Sequence, residues 1–377
     1  MIKTCTNCVM DTTDSMINFD DHGVCDHCRT FEDKVVKTWS FGRGKNNERK
    51  LNHLVQRLKD EGARKDYDCL LGMSGGVDSS YLLHLLVTRY GLRPLVFHVD
   101  AGWNTKESVN NIHKIVDKLN LDLHTEVINW KEMADLQLAF FKSGVPHIDT
   151  PQDHAYFATM YRFANKYKIK NIITGGNFST EGIRNPLEWM WYQSDSIQLK
   201  DIHRKFGQIK LRSFPLTNIL WHKIYLPYFK RIRLFRPLDY MVYDKNLAIQ
   251  ELVREYGFIP YPQKHFESRF TRFYESYWLL ERFGYDTRKV QFSSLILTGQ
   301  MTREEALKEL KKKPYDESTI HQDIEYIATK LGITVDELES YMTMEKKTYR
   351  DYKSQEGIFL LGARVMRILG LEKGGKR

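Results

Sequence analysis

The chain contains no uninterrupted apolar run long enough to cross a bilayer. No apolar stretch of the kind that opens a secretion signal follows Met1-Ile-Lys-Thr-Cys5 either. Together these absences predict a cytoplasmic protein. Gly-Lys-Ser/Thr, the core of the commonest phosphate-binding loop, is missing too. There is no internal repeat, and the one biased tract is a Gly/Lys tail at Lys373–Arg377, expected to be disordered. Cysteine is scarce: of five, only Cys69 stands apart from a single cluster. What remains is ordinary for a globular protein, with 42% hydrophobic and 28% charged residues. A length of 377 residues suits two or three domains. A net charge of +9, from 57 Lys and Arg against 48 Asp and Glu, suits a polyanionic partner without choosing one.

The clustered cysteines fall as Cys5-x-x-Cys8 and Cys25-x-x-Cys28, the spacing of two knuckles closing a tetrahedral thiolate site. Asp20-Asp-His-Gly23 between them reads as a hairpin turn. A cytosolic compartment disfavours disulfides. Neither knuckle has glycine after its second cysteine, which favours zinc over iron. Four thiolates close the site, so its zinc is structural, and His27 is superfluous.

The most informative segment is Ser74-Gly-Gly-Val-Asp-Ser-Ser80, straight after the apolar run Asp68–Met73. It reads as a buried strand, a glycine turn, and a helix from Tyr81 to Arg89. Backbone N–H groups of such a turn cradle anionic oxygens. Gly75 and Gly76 let the backbone approach, while Ser74, Ser79 and Ser80 add hydroxyls. Asp78 would repel a phosphate unless a cation lay between, which points to Mg²⁺. Ser-Gly-Gly-x-Asp-Ser resembles the PP-loop signature of the ATP pyrophosphatases. That resemblance implies cleavage of ATP between its α and β phosphates, with AMP passed to a substrate oxygen.

Strands and helices then alternate as in a doubly wound parallel α/β sheet. Strands are expected at Pro94–Asp100, His124–Asn129 and Asn171–Gly176, and helices at Ser108–Leu119 and, capped by Asp153, at His154–Tyr167. Asp100 either borders the adenosine at a strand end or merely opens a loop. Thr174-Gly-Gly-Asn-Phe-Ser-Thr-Glu181 resembles the Gly-Asn-x-Ser-Glu stretch of NAD synthetase-like enzymes. Gly175 then lies at the nucleotide, and Glu181 helps hold Mg²⁺. Arg236-Pro-Leu-Asp-Tyr-Met-Val-Tyr-Asp-Lys245 resembles the superfamily's Pro-Leu…Lys segment, so Lys245 would stabilise departing pyrophosphate. A basic, aromatic insertion occupies about 186–235. It could follow nucleic-acid phosphates, lie on an anionic membrane, or simply bind a partner.

Past Gly257 the chain turns helical, with Thr302/Glu305 and Thr334/Glu337 as capping boxes. The ribbon, the loop, the Gly-Gly-Asn turn and Ser293-Ser-Leu-Ile-Leu-Thr-Gly-Gln-Met-Thr-Arg-Glu-Glu-Ala306 together resemble the N-acetyl sugar amidotransferases of surface-polysaccharide (LPS O-antigen) biosynthesis, WbpG-like. The organisation expected is a ribbon at 1–40, a PP-loop domain at 41–260 and a helical C-terminal domain at 261–377. The resemblance implies that ATP and Mg²⁺ activate an acetamido group of a nucleotide sugar, such as a UDP-linked diacetamido uronic acid. Ammonia then gives the acetamidino product. Cys5 is committed to metal and Cys69 to a strand, so a separate glutaminase subunit is expected to supply the ammonia. Neither nucleic acid nor a membrane span is expected. Lys264, Arg269 and Arg272 are candidate substrate contacts, and His265 or Glu267 would take a proton from ammonia. Rival readings are a tRNA-thiolating enzyme, short of a spare reactive cysteine, and a non-catalytic nucleic-acid-binding scaffold.

Overall fold

Residues 2–368 are described by a computed structural model. Five strands form one sheet of order β3-β2-β1-β4-β5. They are β1 (Cys69–Gly72), β2 (Pro94–Asp100), β3 (Leu123–Val127), β4 (Asn171–Ile173) and β5 (Arg233–Phe235), and every pairing is parallel. All of β1 and nearly all of β2 are buried, because helices cover both faces, as the apolar runs Cys-Leu-Leu and Leu-Val-Phe require. One face packs on helices Val77–Thr88, Lys106–Lys118 and Lys245–Tyr256 through Leu71, Leu82, Ile112 and Leu252. The other packs on helices Trp130–Ser143 and Thr150–Lys166 and on the C-terminal helices through Phe97, Phe140, Phe163 and Trp278.

After β1 the chain moves outward to β2 and β3, and it returns on the opposite side as β4 and β5. The order therefore reverses between β1 and β4, and a crevice opens at their C-terminal ends.

Several expected boundaries shift for local reasons. The helix after the glycine turn starts at Val77, four residues early, with Gly76 at its N-cap. The third strand stops at Val127 because Asn129 is drawn off to cap helix Trp130–Ser143, accepting from the Glu132 amide. The next helix begins at Thr150 with Pro151 in its first turn, so Asp153 lies one turn inside and does not cap it. Thr302 and Glu305 form a full capping box. The second box is only half made: Thr334 accepts from the Glu337 amide, but the Glu337 carboxylate takes the Tyr341 hydroxyl at 2.7 Å instead.

The basic insertion is not a free appendage. Trp189, Trp191, Leu199, Ile202, Phe214 and Leu226 are buried, while Tyr228 (77%) and Phe229 (73%) face solvent. Among the described residues no helix is long and apolar enough to cross a membrane. The Lys373–Arg377 tail lies outside the described residues.

Candidate active site

The four ribbon cysteines are buried, and their sulfur atoms lie within 4.8 Å of one another. The Asp20–Gly23 hairpin turn between the knuckles is formed, with Gly23 at φ +77°. Amides of Asn7, Cys8, Met10 and Cys25 point at the Cys5 and Cys8 sulfurs at 3.2–3.5 Å, as in a knuckle that holds thiolates. Hydrogen bonding among them pulls Cys5 down, with Cys25 as the largest cause, and pushes Cys28 up. Four sulfurs this close cannot all ionise without a cation, and a tetrahedral zinc fits that donor set. His27 turns away to Asp14 at 2.7 Å and is not a ligand.

The ribbon is tied to the block around Gln300. Arg303 donates to the Cys5 and Cys8 carbonyls at 2.8–3.3 Å, the Val9 amide donates to Ser293 Oγ at 3.2 Å, and Lys289 pairs with Asp11 at 2.6 Å.

At the crevice, the glycine loop is shaped by what has no room. Gly75 sits at φ +85°, and a Cβ there would lie 2.8 Å from the Ser108 carbonyl. A Cβ on Gly175 would lie 2.7 Å from the Ser79 amide. Gly175 thus lets the β4 turn pack against the helix start that presents Asp78. Ser80 is fully buried, with its Oγ unpartnered beneath the helix, so it does not face an anion in the loop. The early helix start at Val77 rotates it inward. Asp100 takes the loop-opening role, accepting from the Gly102 amide at 2.7 Å and from Asn104 at 3.1 Å.

Asp78 is the electrostatic centre. Tyr243 donates to one oxygen, and Lys264 Nζ lies 3.2 Å from the other. The same Nζ reaches Glu181 at 2.7 Å and donates to Thr180 Oγ at 3.2 Å. Burial alone would raise the Asp78 and Glu181 carboxyls, yet both sit below the ordinary value because Lys264 acts together with Tyr243 and Lys245 on Asp78 and with Arg236 on Glu181. Lys264, expected at the substrate, bridges the two carboxylates expected at the metal. Two carboxylates that converge on one cation also fit Mg²⁺.

Lys245 is held down by burial and feels Asp78 first, then Lys264 and Glu267. Its backbone amide donates to Gln300 Oε1 at 2.9 Å, and Gln300 Nε2 donates to Ser179 Oγ at 2.7 Å. Gln300 so ties the β4 turn to the start of helix Lys245–Tyr256.

Glu267 accepts from Ser74 Oγ at 3.0 Å, directly over the loop. His265, at φ +66°, pairs with buried Glu275 at 2.8 Å. Arg269 and Arg272, expected at the substrate, are engaged by another partner. Both grip Asp323, fully buried, at 2.6–2.9 Å, and Arg269 stacks over Tyr326. They fasten the segment 264–268 to helix Glu317–Leu331.

Tyr243 and Gln300 carry no chemical signature in the sequence, although Tyr243 stands two residues before Lys245 in the Pro-Leu segment. The insertion adds a third unforeseen group. Exposed Lys223 of the insertion lies within electrostatic reach of exposed Arg184, and Arg184 in turn neighbours Glu181 and Arg236, which pairs with Asp239 at 3.0 Å. Such a group suits a second anion.

Comparison with known proteins follows the same division of the chain. Residues 267–366 match the C-terminal domain of LPS biosynthesis proteins of the WbpG-like kind, and residues 68–231 match the phosphoadenosine phosphosulfate reductase domain. Uncharacterized protein MJ1599 of Methanocaldococcus jannaschii is 27% identical over 175 residues, 45% of this chain and 58% of that protein. The tRNA-specific 2-thiouridylase MnmA 2 of Fusobacterium nucleatum subsp. nucleatum is 29% identical over 119 residues, 30% of this chain and 34% of that protein. The matches thus span between about a third and about three-fifths of those relatives' length. NMN synthetase from Francisella tularensis superposes over 80% of this chain and 98% of its own at 14% identity, but a TM-score of 0.30 is too low to argue from. The loop, the all-parallel sheet and the two matched domains agree: the chain belongs to the PP-loop superfamily and carries a WbpG-like C-terminal domain.

Proposed function

We propose that this protein is an AMP-forming amidotransferase that converts an acetamido group of a nucleotide-activated sugar into an acetamidino group. The observation that carries the reading is the meeting of Glu267, first residue of the WbpG-like match, with Ser74 of the loop at 3.0 Å. That contact brings a polysaccharide-type domain to the edge of an ATP-cleaving site.

An amide carbonyl is a poor electrophile, and its oxygen is a poor leaving group. Attack of the acetamido oxygen on the α phosphorus of ATP breaks the α–β bond and releases pyrophosphate into the loop. Ammonia then adds to the imidate carbon, and AMP leaves with the former acetamido oxygen and its electron pair. The nitrogen gives up protons to yield the amidine. No side-chain nucleophile is required, so positioning and electrostatics suffice.

Asp78 and Glu181 would hold Mg²⁺, which neutralises phosphate oxygens. Lys245 stabilises charge on departing pyrophosphate, and Lys264 keeps the two carboxylates ionised. Glu267 receives a proton from the nucleophile, whereas His265, where burial is overridden by Glu275 and the imidazole is lifted to about 9, already carries its proton at neutral pH. Arg184, Lys223 and Arg236 suit the sugar's diphosphate. Ammonia would come from a separate glutaminase, because Cys69 is fully buried and its thiol is pushed up by burial. The same burial counts against tRNA thiolation, which needs an accessible sulfur carrier.

The test is incubation with Mg-ATP, ammonium chloride and a UDP-linked 2,3-diacetamido uronic acid carrying ¹⁸O in its acetamido groups. Mass spectrometry should find the label in AMP and an amidine in the sugar. AMP without label or without sugar dependence would overturn the reading.

A further inference from the structure

Beside the loop lies a group of carboxylates that the adenylation step does not use. Asp149, 4% exposed, stands at the N-cap position of helix Thr150–Lys166, and Asp153 lies one turn further on. Glu275, 6% exposed, faces them from the segment Tyr274–Phe283. Their neutral partners are few. Thr271 Oγ donates to Asp149 at 2.8 Å, Gln152 donates to its other oxygen at 3.1 Å, and Gln193 donates to Asp153. Among the described residues no Lys or Arg forms an ion pair with Asp149 or Asp153. The charged partner of the group is His265, on Glu275 at 2.8 Å, and the nearby arginines Arg269 and Arg272 are committed to Asp323. Three carboxylates thus face one imidazole.

A second observation is independent of that charge count. Tyr274 is 1% exposed, its hydroxyl has no hydrogen-bond partner, and the groups that act on it are Asp149, Glu275 and Asp153. A buried hydroxyl without a partner, set against carboxyl groups of which Asp149 and Asp153 pair with no lysine or arginine, suits a polar guest. The group adjoins the reaction centre. Asp153 precedes by one turn Tyr156, whose hydroxyl abuts Gly72 at the end of β1, and His265 directly follows Lys264.

We propose that Asp149, Asp153, Glu275 and the Tyr274 hydroxyl form a binding site for ammonium, the form in which the nitrogen nucleophile waits beside the activated sugar. Ammonium carries one positive charge and four N–H donors arranged tetrahedrally, and the site offers three carboxylates and a phenol oxygen. The inference rests on the amidotransferase reading and adds to it the recognition of the nucleophile. To react, ammonium passes one proton to a carboxylate of the group, and the freed lone pair attacks the imidate carbon. Burial lifts the Asp153 carboxyl to about 6, with Glu275 adding to the rise and His265 opposing it, which suits a carboxylate that takes up that proton. Burial first, and Asp153 second, hold Asp149 well above the ordinary range.

The experiment combines binding with a partial reaction. In ¹⁵N-ammonium chloride, ¹⁵N-filtered proton spectra of the full chain should show a bound ammonium whose protons exchange slowly. The signal should vanish in Asp153→Asn and Tyr274→Phe. In both variants sugar-dependent release of pyrophosphate should persist, because adenylation precedes the nucleophile, while the KM for ammonium chloride in amidine formation rises roughly tenfold or more, as expected for loss of a charged hydrogen bond. The KM for ATP should not move. Absence of bound ammonium in the wild type, with sugar-dependent AMP formation intact, would overturn the site and leave the amidotransferase reading standing. Bound ammonium without any sugar-dependent AMP would sink that reading and leave a cation site. Rubidium chloride displacing ammonium at equal concentration would reassign the site to monovalent cations in general.

Discussion

Two segments meet over the nucleotide crevice, and they work in opposite ways. The loop Ser74–Ser80 acts through its backbone, where Gly75 has no room for a Cβ beside the Ser108 carbonyl, and Gly175 of the facing β4 turn has none beside the Ser79 amide. The strap Lys264–Ser268 acts through side chains that reach inward: Lys264 to Asp78 and Glu181, His265 to Glu275, and Glu267 to Ser74. A backbone constraint tolerates few residue types, so it leaves a short, strict motif. A reaching side chain fixes only its own tip, and its partners can lie anywhere in the chain.

If that contrast is right, the loop should fail harder than the strap. Gly175→Ala forces the β4 turn off the helix start, and we expect AMP formation to fall by about 100-fold or more with the circular dichroism spectrum unchanged, since displacements near 1 Å cost that much. Lys264→Met leaves the two carboxylates without their cation, and a smaller loss of about 10- to 100-fold is expected because Glu181, 40% exposed on its side chain, can be screened by water. The same variant should bind Mn²⁺ more tightly without nucleotide, read by electron paramagnetic resonance. Equal losses in the two variants would erase the distinction.

Zinc removal probes a third support. Chelation, or Cys8→Ser, should unfold the ribbon and lower the melting temperature, because its carbonyls hold Arg303. A rise in the KM for ATP should accompany it if the effect travels through Gln300. Asp323→Asn loosens the anchor of the strap by removing a fully buried charge held by two arginines. Calorimetry should register a loss of about 1–3 kcal/mol.

The smallest effect is a pH slope. Burial opposes charge on His265, but Glu275 overrides it and lifts the imidazole from 6.5 to about 9. A raised value stabilises the protonated fold, so the contribution is complete below about 6.5 and fades as pH climbs to about 9. Lys264 and Glu267 also face this ring, and Asp153 titrates below that window. The melting temperature should therefore drop more steeply over that range in the wild type than in His265→Gln.

The same contrast explains what was legible in the sequence. The loop, the ribbon and the parallel sheet could be read directly, because glycine turns, cysteine spacing and apolar strands are local demands. Lys264, Arg269 and Arg272 were identifiable as cations, but their partners Asp78, Glu181 and Asp323 lie 51 to 186 positions away and could not be inferred from spacing. The Ser80 reading failed because a helix that starts four residues early turns that hydroxyl inward. Tyr243 and Gln300 were silent, since a tyrosine and a glutamine acquire meaning only from what they touch.

The contact between Glu267 and Ser74 also bears on inheritance. The WbpG-like match begins at the very residue whose carboxylate rests on the loop, and Lys264 stands three positions before it. A recombination at that boundary would hand the new host a helical domain but strand half of the reaction centre in the old one. A helical domain moved without Lys264 would therefore leave Asp78 and Glu181 unbridged, so the strap belongs functionally to both halves.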